Sequence, residues 1–175
     1  MFKFLIIYST TDGQTKNICE RIKNLSKENE NIKIVSLNQI FNQDISSYEE
    51  ILIGASIRYG KHNKKIYSFI SSNKNILESK KTSFFSVNVV ARKPEKNSPE
   101  TNPYMIKFLK KSTWNPYRLA VFAGKVDYPS YSFFNKLVIR FIMYLTKGPT
   151  DTSKSYEFTD WKKVEEFSKS IFQSK

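Results

Sequence analysis

The chain of 175 residues has one cysteine, one histidine, five glycines and six prolines, and sets 16 acidic residues against 29 basic ones. Each shortage excludes something. A single cysteine, Cys19, permits no intramolecular disulfide and no cysteine-rich metal site, which fits a reducing compartment, and no metal is expected. No run reaches the ~18 to 20 apolar residues needed to cross a bilayer. The start, MFKFLIIYST, has a short apolar stretch without a small-residue cleavage site, so no secretory signal is expected and the cytoplasm is the default. With so few glycines, neither the Walker pattern nor the three-glycine dinucleotide fingerprint occurs.

What is present begins with charge, a formal +13. Such an excess suits nucleic acid, an anionic membrane surface or a small polyanion. Lysine supplies 24 of the 29 basic residues and asparagine is abundant, a bias that drift toward AT-rich codons produces with no partner at all. The lysines are scattered and no nucleic-acid module is recognisable, so no nucleic-acid partner is expected.

Five short apolar runs read as strands: Phe2 to Tyr8, Ile32 to Leu37, Ile51 to Ser56, Ser83 to Val90 and Arg118 to Gly124. Their nearly continuous apolarity predicts burial on both faces, as in a parallel sheet. Helical faces lie between and after them, at Ile18, Cys19, Ile22 and Leu25, at Ile66, Phe69 and Ile70, at Tyr104, Met105, Phe108 and Leu109, and at Trp161, Val164, Phe167 and Ile171. The pattern over Asn38 to Tyr48 is weaker and predicts only a short helix. Alternation of this kind predicts a doubly wound α/β sandwich over residues 1–175, with ligands held outside the carboxyl ends of the strands. Gly13, Gly54, Gly60 and Gly124 all fall in or beside those ends.

Ser9 to Gln14 is then the turn between the first strand and the first helix. A helix N-terminus offers unpaired N–H groups and the positive dipole end, and Thr10, Thr11 and Thr15 add hydroxyls, a combination that suits a phosphate monoester. The competing reading is an ordinary helix start capped by Thr11 or Asp12.

The stretch YSTTDGQT resembles the phosphate loop of flavodoxins, which holds the phosphate of FMN; Asp12 stands where that loop commonly has threonine, and Gln14 where it has asparagine. A narrower resemblance covers nearly the whole chain. STTDGQT, IGASIRYG (Ile53 to Gly60), FFSVNVVARKPEKNSPETN (Phe84 to Asn102), TDT and YEFTDW are similar, in that order, to the quinone-dependent protoporphyrinogen IX dehydrogenase family of bacterial haem synthesis. The resemblance implies a flavodoxin-like five-stranded parallel sheet of order 2-1-3-4-5. It also implies FMN as cofactor, protoporphyrinogen IX as substrate, and ubiquinone or menaquinone as acceptor.

By the same resemblance, Thr10, Thr11, Asp12, Gly13, Gln14 and Thr15 would hold the FMN phosphate. Ser56, Arg58, Tyr59 and Gly60 would wall one side of the flavin ring and Phe85, Ser86, Val87 and Asn88 the other, with Thr152 completing the contacts. Asn88 would offer its amide to the pyrimidine edge, and Tyr59 is either a stacking face or a half-buried loop aromatic. Oxidation to the porphyrin removes six electrons and six protons, suggesting three rounds of hydride transfer, each followed by quinone reoxidation. The two propionates of the substrate call for cationic anchors, for which Arg58 and Arg92 stand at strand ends, with Lys93 and Lys96 extending the second loop. The alternative is a solvated charged loop. His62 is either a proton relay or a solvent-exposed bystander.

After the fifth strand, residues 128–148 form an insertion in which Phe133 to Leu145 is apolar at ten of thirteen positions. A helix there is about 20 Å long against a hydrocarbon core of roughly 30 Å, too short to span. Ser132, Lys136, Arg140 and Lys147 fall on one side, with Phe133, Phe134, Leu137, Val138, Phe141, Ile142 and Leu145 on the other, the pattern of an interfacial helix. The expected location is the cytoplasmic face of the bacterial inner membrane, as a peripheral protein on anionic lipid. The alternatives are a helix packed on the domain and, for the chain as a whole, either a flavodoxin-type electron carrier without its own substrate or a non-enzymatic phosphate or nucleic-acid binder.

Overall fold

The computed structural model describes residues 3–27 and 31–172. Phe2, the first residue of the expected first strand, lies outside them. β1 (Phe4–Ser9), β2 (Ile32–Ser36), β3 (Glu50–Arg58), β5 (Lys81–Val87) and β6 (Arg118–Phe122) pair in parallel in the order β2-β1-β3-β5-β6. This is the expected 2-1-3-4-5 sheet, renumbered because β4 (Lys61–His62) intervenes.

Side chains of β1 alternate between two cores, as the pleat requires. Leu5 and Ile7 face a layer built on α2 (Leu37–Ile40), α3 (Lys64–Ser72), α4 (Lys74–Glu78) and α5 (Pro103–Ser112). Phe4 and Ile6 face α1 (Gln14–Asn24) and α7 (Trp161–Phe172), which present Ile18, Cys19, Ile22, Val164, Phe167 and Ile171. Leu25 sits past the end of α1 and is exposed, not part of the face. Burial pushes the Cys19 thiol far up its pKa scale, so it behaves as an inert small apolar group.

Three short strands escape a periodicity reading. β4 folds back antiparallel on β3, pairing Ile57 with His62 and Arg58 with Lys61. The two residues between, Tyr59 at φ 48° and Gly60 at φ 75°, make the double left-handed turn that suits a right-twisted hairpin. β7 (Lys125–Asp127) and β8 (Ser155–Glu157) form a separate antiparallel ribbon that brackets α6 (Phe133–Leu145). A third small core, of Val126, Tyr128 and Met143 with Val89, Ile139 and Tyr156 against it, seats α6 on the domain.

Candidate cofactor and active site

The strand order reverses between β1 and β3, and a cleft opens there at the carboxyl edge of the sheet. Counted out to its open mouth, with the open solvent there included, it spans about 750 Å³. Thr10, Thr11, Asp12, Gln14 and Thr15 come to it from the first loop, Ser56, Arg58, Tyr59 and Gly60 from the hairpin, and Val87 and Asn88 from the end of β5. Distant segments of the sequence thus meet at one edge.

The first loop is not an ordinary capped start. Gly13, at φ 85°, is the N-cap of α1, and no side chain caps the helix. Neither Thr11 nor Asp12 fills that role. Thr10 instead tightens the loop, its Oγ1 accepting from the Gly13 N–H at 3.0 Å. Asp12 turns toward Arg58, which donates to both its oxygens at 2.9 and 3.2 Å, and its Oδ2 also accepts from the Tyr131 hydroxyl at 3.0 Å. The carboxylate is thereby engaged by a cation.

Thr15 is fully buried beside the same N-terminus, and its Oγ1 has no hydrogen-bond partner. An orphaned buried hydroxyl costs free energy unless a ligand supplies the missing contact. Together with the uncapped N–H groups and the helix dipole, it fits a phosphate. Gln14 acts within the fold, its amide donating to Glu157 Oε1 at 3.0 Å and to Thr159 Oγ1 at 2.9 Å, which ties the start of α1 to the end of β8 and the segment after it.

The hairpin turn is locked over the cleft. Arg58 stands 4.9 Å from the ring centre of Tyr59 and 5.0 Å from that of Tyr131, and Tyr59 Oη bonds Asn135 at the start of α6. Burial works against the Arg58 charge, but Asp12 and the two tyrosines outweigh it, and its pKa is raised. Burial, then the neighbouring Asp12, push the Tyr131 hydroxyl up to about 12. Tyr59 is 48% exposed, leaving its ring available at the rim.

Several expected contacts are placed elsewhere. Phe85 is a core residue on the α1 and α7 face, against Phe122 and Phe167. Alternation along β5 then turns Ser86 the other way, where it is fully buried and bonds His62 Nε2 at 3.0 Å. Asn88 lines the cleft, but its amide works inside the fold: Oδ1 accepts from Ala91 N–H at 3.1 Å and from Asn102 Nδ2 at 3.1 Å. Asn102 in turn caps α5, accepting from Tyr104 and Met105 N–H. Thr152 and Lys93 lie outside the cleft.

Arg92 is also engaged within the fold. It donates to Val89 O at 2.9 Å and Thr146 O at 2.7 Å, clasping the end of α6, and burial lowers its pKa. His62 is neither exposed nor a lining residue of the cleft: it is 5% exposed, edge-on to Tyr67, Phe84 and Phe108. Burial alone lowers its pKa to about 4, so the ring is neutral at pH 7.

The sequence reading missed the far wall, which Tyr104, Val126, Ile139, Ile142 and Met143 supply. Ile139, Ile142 and Met143 fall at helical spacing on one face of α6, a signal hidden because nearly every position of that helix is apolar. Ile142, expected on the lipid side, faces the cleft. Among the described residues no helix is long and apolar enough to cross a membrane, and no group of His, Cys, Asp and Glu could hold a metal.

Fold and site together define an α/β protein with a cleft suited to a phosphate-bearing small molecule at the carboxyl edge of a parallel sheet. A family model for the flavodoxin domain matches residues 5–153. Over 170 residues the chain is 40% identical to protoporphyrinogen IX dehydrogenase (quinone) of Escherichia coli strain K12, covering 97% of this chain and 94% of that one. A Leishmania major protein of the same name is 40% identical over 167 residues, 94% of this chain and 72% of the other. The oxidised flavodoxin 1 of Bacillus cereus shares the fold at a TM-score of 0.54 and 15% identity, covering 99% of both chains. The chain belongs to the flavodoxin-domain family and, within it, to the protoporphyrinogen IX dehydrogenase (quinone) family.

Proposed function

We propose that the protein is an FMN-dependent dehydrogenase that oxidises protoporphyrinogen IX to protoporphyrin IX and passes the electrons to a membrane quinone. The observation that carries this reading is the 40% identity with the Escherichia coli dehydrogenase across 97% of the chain, a span that takes in every loop of the cleft. Each porphyrin formed would convert three quinones to quinols.

The first-turn N–H groups of α1 and the hydroxyls of Thr11 and Thr15 would hold the FMN phosphate, and the hairpin turn and Val87 to Asn88 would flank the ring. Bound there, the flavin would supply the two-electron chemistry that the chain's own side chains lack. Arg58 orients Asp12 away from the phosphate. Asn88, held by Asn102 and Ala91, keeps the β5 loop in shape. With His62 neutral and outside the lining of the cleft, protons released by the substrate would leave to solvent.

α6 gives the protein a surface for the quinone's own phase. Phe133, Phe134, Phe141, Tyr144 and Leu145 are each more than 60% exposed, while Ile139, Ile142 and Met143 close the cleft behind them. An exposed apolar face beside Lys136, Arg140 and Lys147 suits peripheral attachment to anionic lipid on the cytoplasmic side. The basic charge and this apolar face oppose a freely diffusing electron carrier. The test is an anaerobic assay of fluorescent porphyrin formation with ubiquinone and menaquinone in turn. A purified protein that is yellow but forms no porphyrin with either would favour the carrier instead, and a colourless one would remove both redox readings.

A further inference from the structure

Beside the flavin cleft, and sharing Ile57, Gly60 and Tyr104 with it, lies a second depression. Lys61 enters it from β4, Lys64 from the first turn of α3, and Lys107 and Lys111 from successive turns of α5. No carboxylate lines it, and none of the four lysines is in an ion pair among the described residues. The Lys111 ammonium sits 4.3 Å from the ring centre of Tyr67, another residue of the lining. Tyr67 and Tyr104 supply apolar wall, and His62, neutral at pH 7, lines the depression beside Lys61.

Scattered surface lysines would be ordinary in a chain of charge +13. Four converging from three elements on one concave site, without a counter-charge, repel one another and leave the position of an anion open. The position beside the redox cleft limits which anion. Arg92, the other cation expected at a strand end, is already bonded to Val89 and Thr146 and has no free fork to offer.

We infer that the hollow ringed by Lys61, Lys64, Lys107 and Lys111 is the subsite for the two propionates of the tetrapyrrole substrate. Held there, the macrocycle extends past Tyr104 and Gly60 toward the flavin cleft. This rests on the dehydrogenase reading above for the identity of the ligand, and the site itself is tested without turnover.

The FMN-loaded protein is titrated with mesoporphyrin IX, a dicarboxylate that is not a substrate, and with its dimethyl ester, following fluorescence. K107Q/K111Q and K61Q/K64Q should each weaken dicarboxylate binding about tenfold, as expected for the loss of charge-assisted bonds. Neither should change binding of the ester, and K107R/K111R should restore the dicarboxylate. Unchanged dicarboxylate affinity overturns the subsite, as does an equal loss with the ester, which marks altered packing. Weaker binding to phosphatidylglycerol vesicles with porphyrin affinity intact would assign the lysines to lipid and also overturn it. Turnover measured alongside separates the two readings: lysine-dependent dicarboxylate binding without porphyrin formation sinks only the dehydrogenase, and turnover with lysine-independent binding sinks only the subsite.

Discussion

His62 shows how far a single residue's meaning depends on its surroundings. In sequence it is a lone histidine in a loop flanked by Lys61 and Asn63, and such a residue reads as exposed. In the fold its ring is enclosed by Tyr67, Phe84 and Phe108 and bonded to Ser86. The unfolded chain takes up a proton near the ordinary value of 6.5, whereas the folded chain resists protonation down to about 4. The stability this confers is complete above pH 6.5 and is lost as pH falls toward 4, about 2 kcal/mol of it by pH 5. His62→Gln, which keeps a polar partner for Ser86, should flatten that loss. Urea unfolding at pH 7.5 and 5 measures it, and an equal drop in both proteins would contradict the assignment.

Other residues were readable before the fold was known, and for a physical reason. Thr10, Thr11 and Thr15 sit in a strand-to-helix turn that an apolar run followed by a glycine announces, whereas Tyr59 and Gly60, named through the family resemblance, line the cleft from a hairpin turn of positive φ that β4 closes. Arg58 and Arg92 look alike in sequence, each at a strand end. Their fates differ because Asp12 meets one and the end of α6 meets the other, and both partners are distant along the chain.

At the scale of elements, the five sheet strands announce themselves because burial on both faces demands unbroken apolar runs. β4, β7 and β8 have two or three residues each, too few for any period to register. β5 was expected to run to Val90 but stops at Val87, because the Asn88 side chain caps a short 3-10 turn over Val89–Arg92. The β3–β5 pairing has its own constraint. Gly54 lies directly opposite Phe85, and a Cβ on Gly54 would stand 2.2 Å from the Phe85 ring. Gly54→Ala should therefore cost about 1–3 kcal/mol through overpacking. Phe85→Leu in the same chain should recover part of that cost, since neighbouring substitutions couple. Thermal denaturation of the two single variants and the double checks this, and strict additivity would argue against a clash between this pair.

At the scale of the whole molecule, α6 divides its apolar surface between the cleft and the solvent. Ile139, Ile142 and Met143 close the cleft, and the third small core together with the Arg92 clasp anchors the helix. Phe133, Phe134 and Phe141 point to solvent at 78%, 74% and 61% exposure. Replacing these three with serine should reduce sedimentation with phosphatidylglycerol vesicles by at least about tenfold, since each phenyl ring brings appreciable apolar area to the lipid boundary. The FMN content should be unchanged, because the cleft wall is left intact. Undiminished vesicle binding by the triple variant would remove α6 as the attachment surface. Deleting the whole helix is a poorer test, as it opens the cleft as well.

The family resemblance supplied the strand order; the sequence by itself determined the layered α/β class and the edge of the sheet at which a ligand is expected. Those follow from short-range facts: the period of apolar residues, the turn that a glycine permits, the handedness of a crossover. Only the tertiary structure decided that YSTTDGQT begins an uncapped helix with a buried, unpartnered hydroxyl, that His62 belongs to the core, and which face of α6 closes the cleft. Those depend on what packs against what across a hundred residues or more of chain, as with Asp12 and Tyr131 or Gln14 and Thr159. A side chain's partners are set by where the fold brings it, and composition and spacing do not encode that.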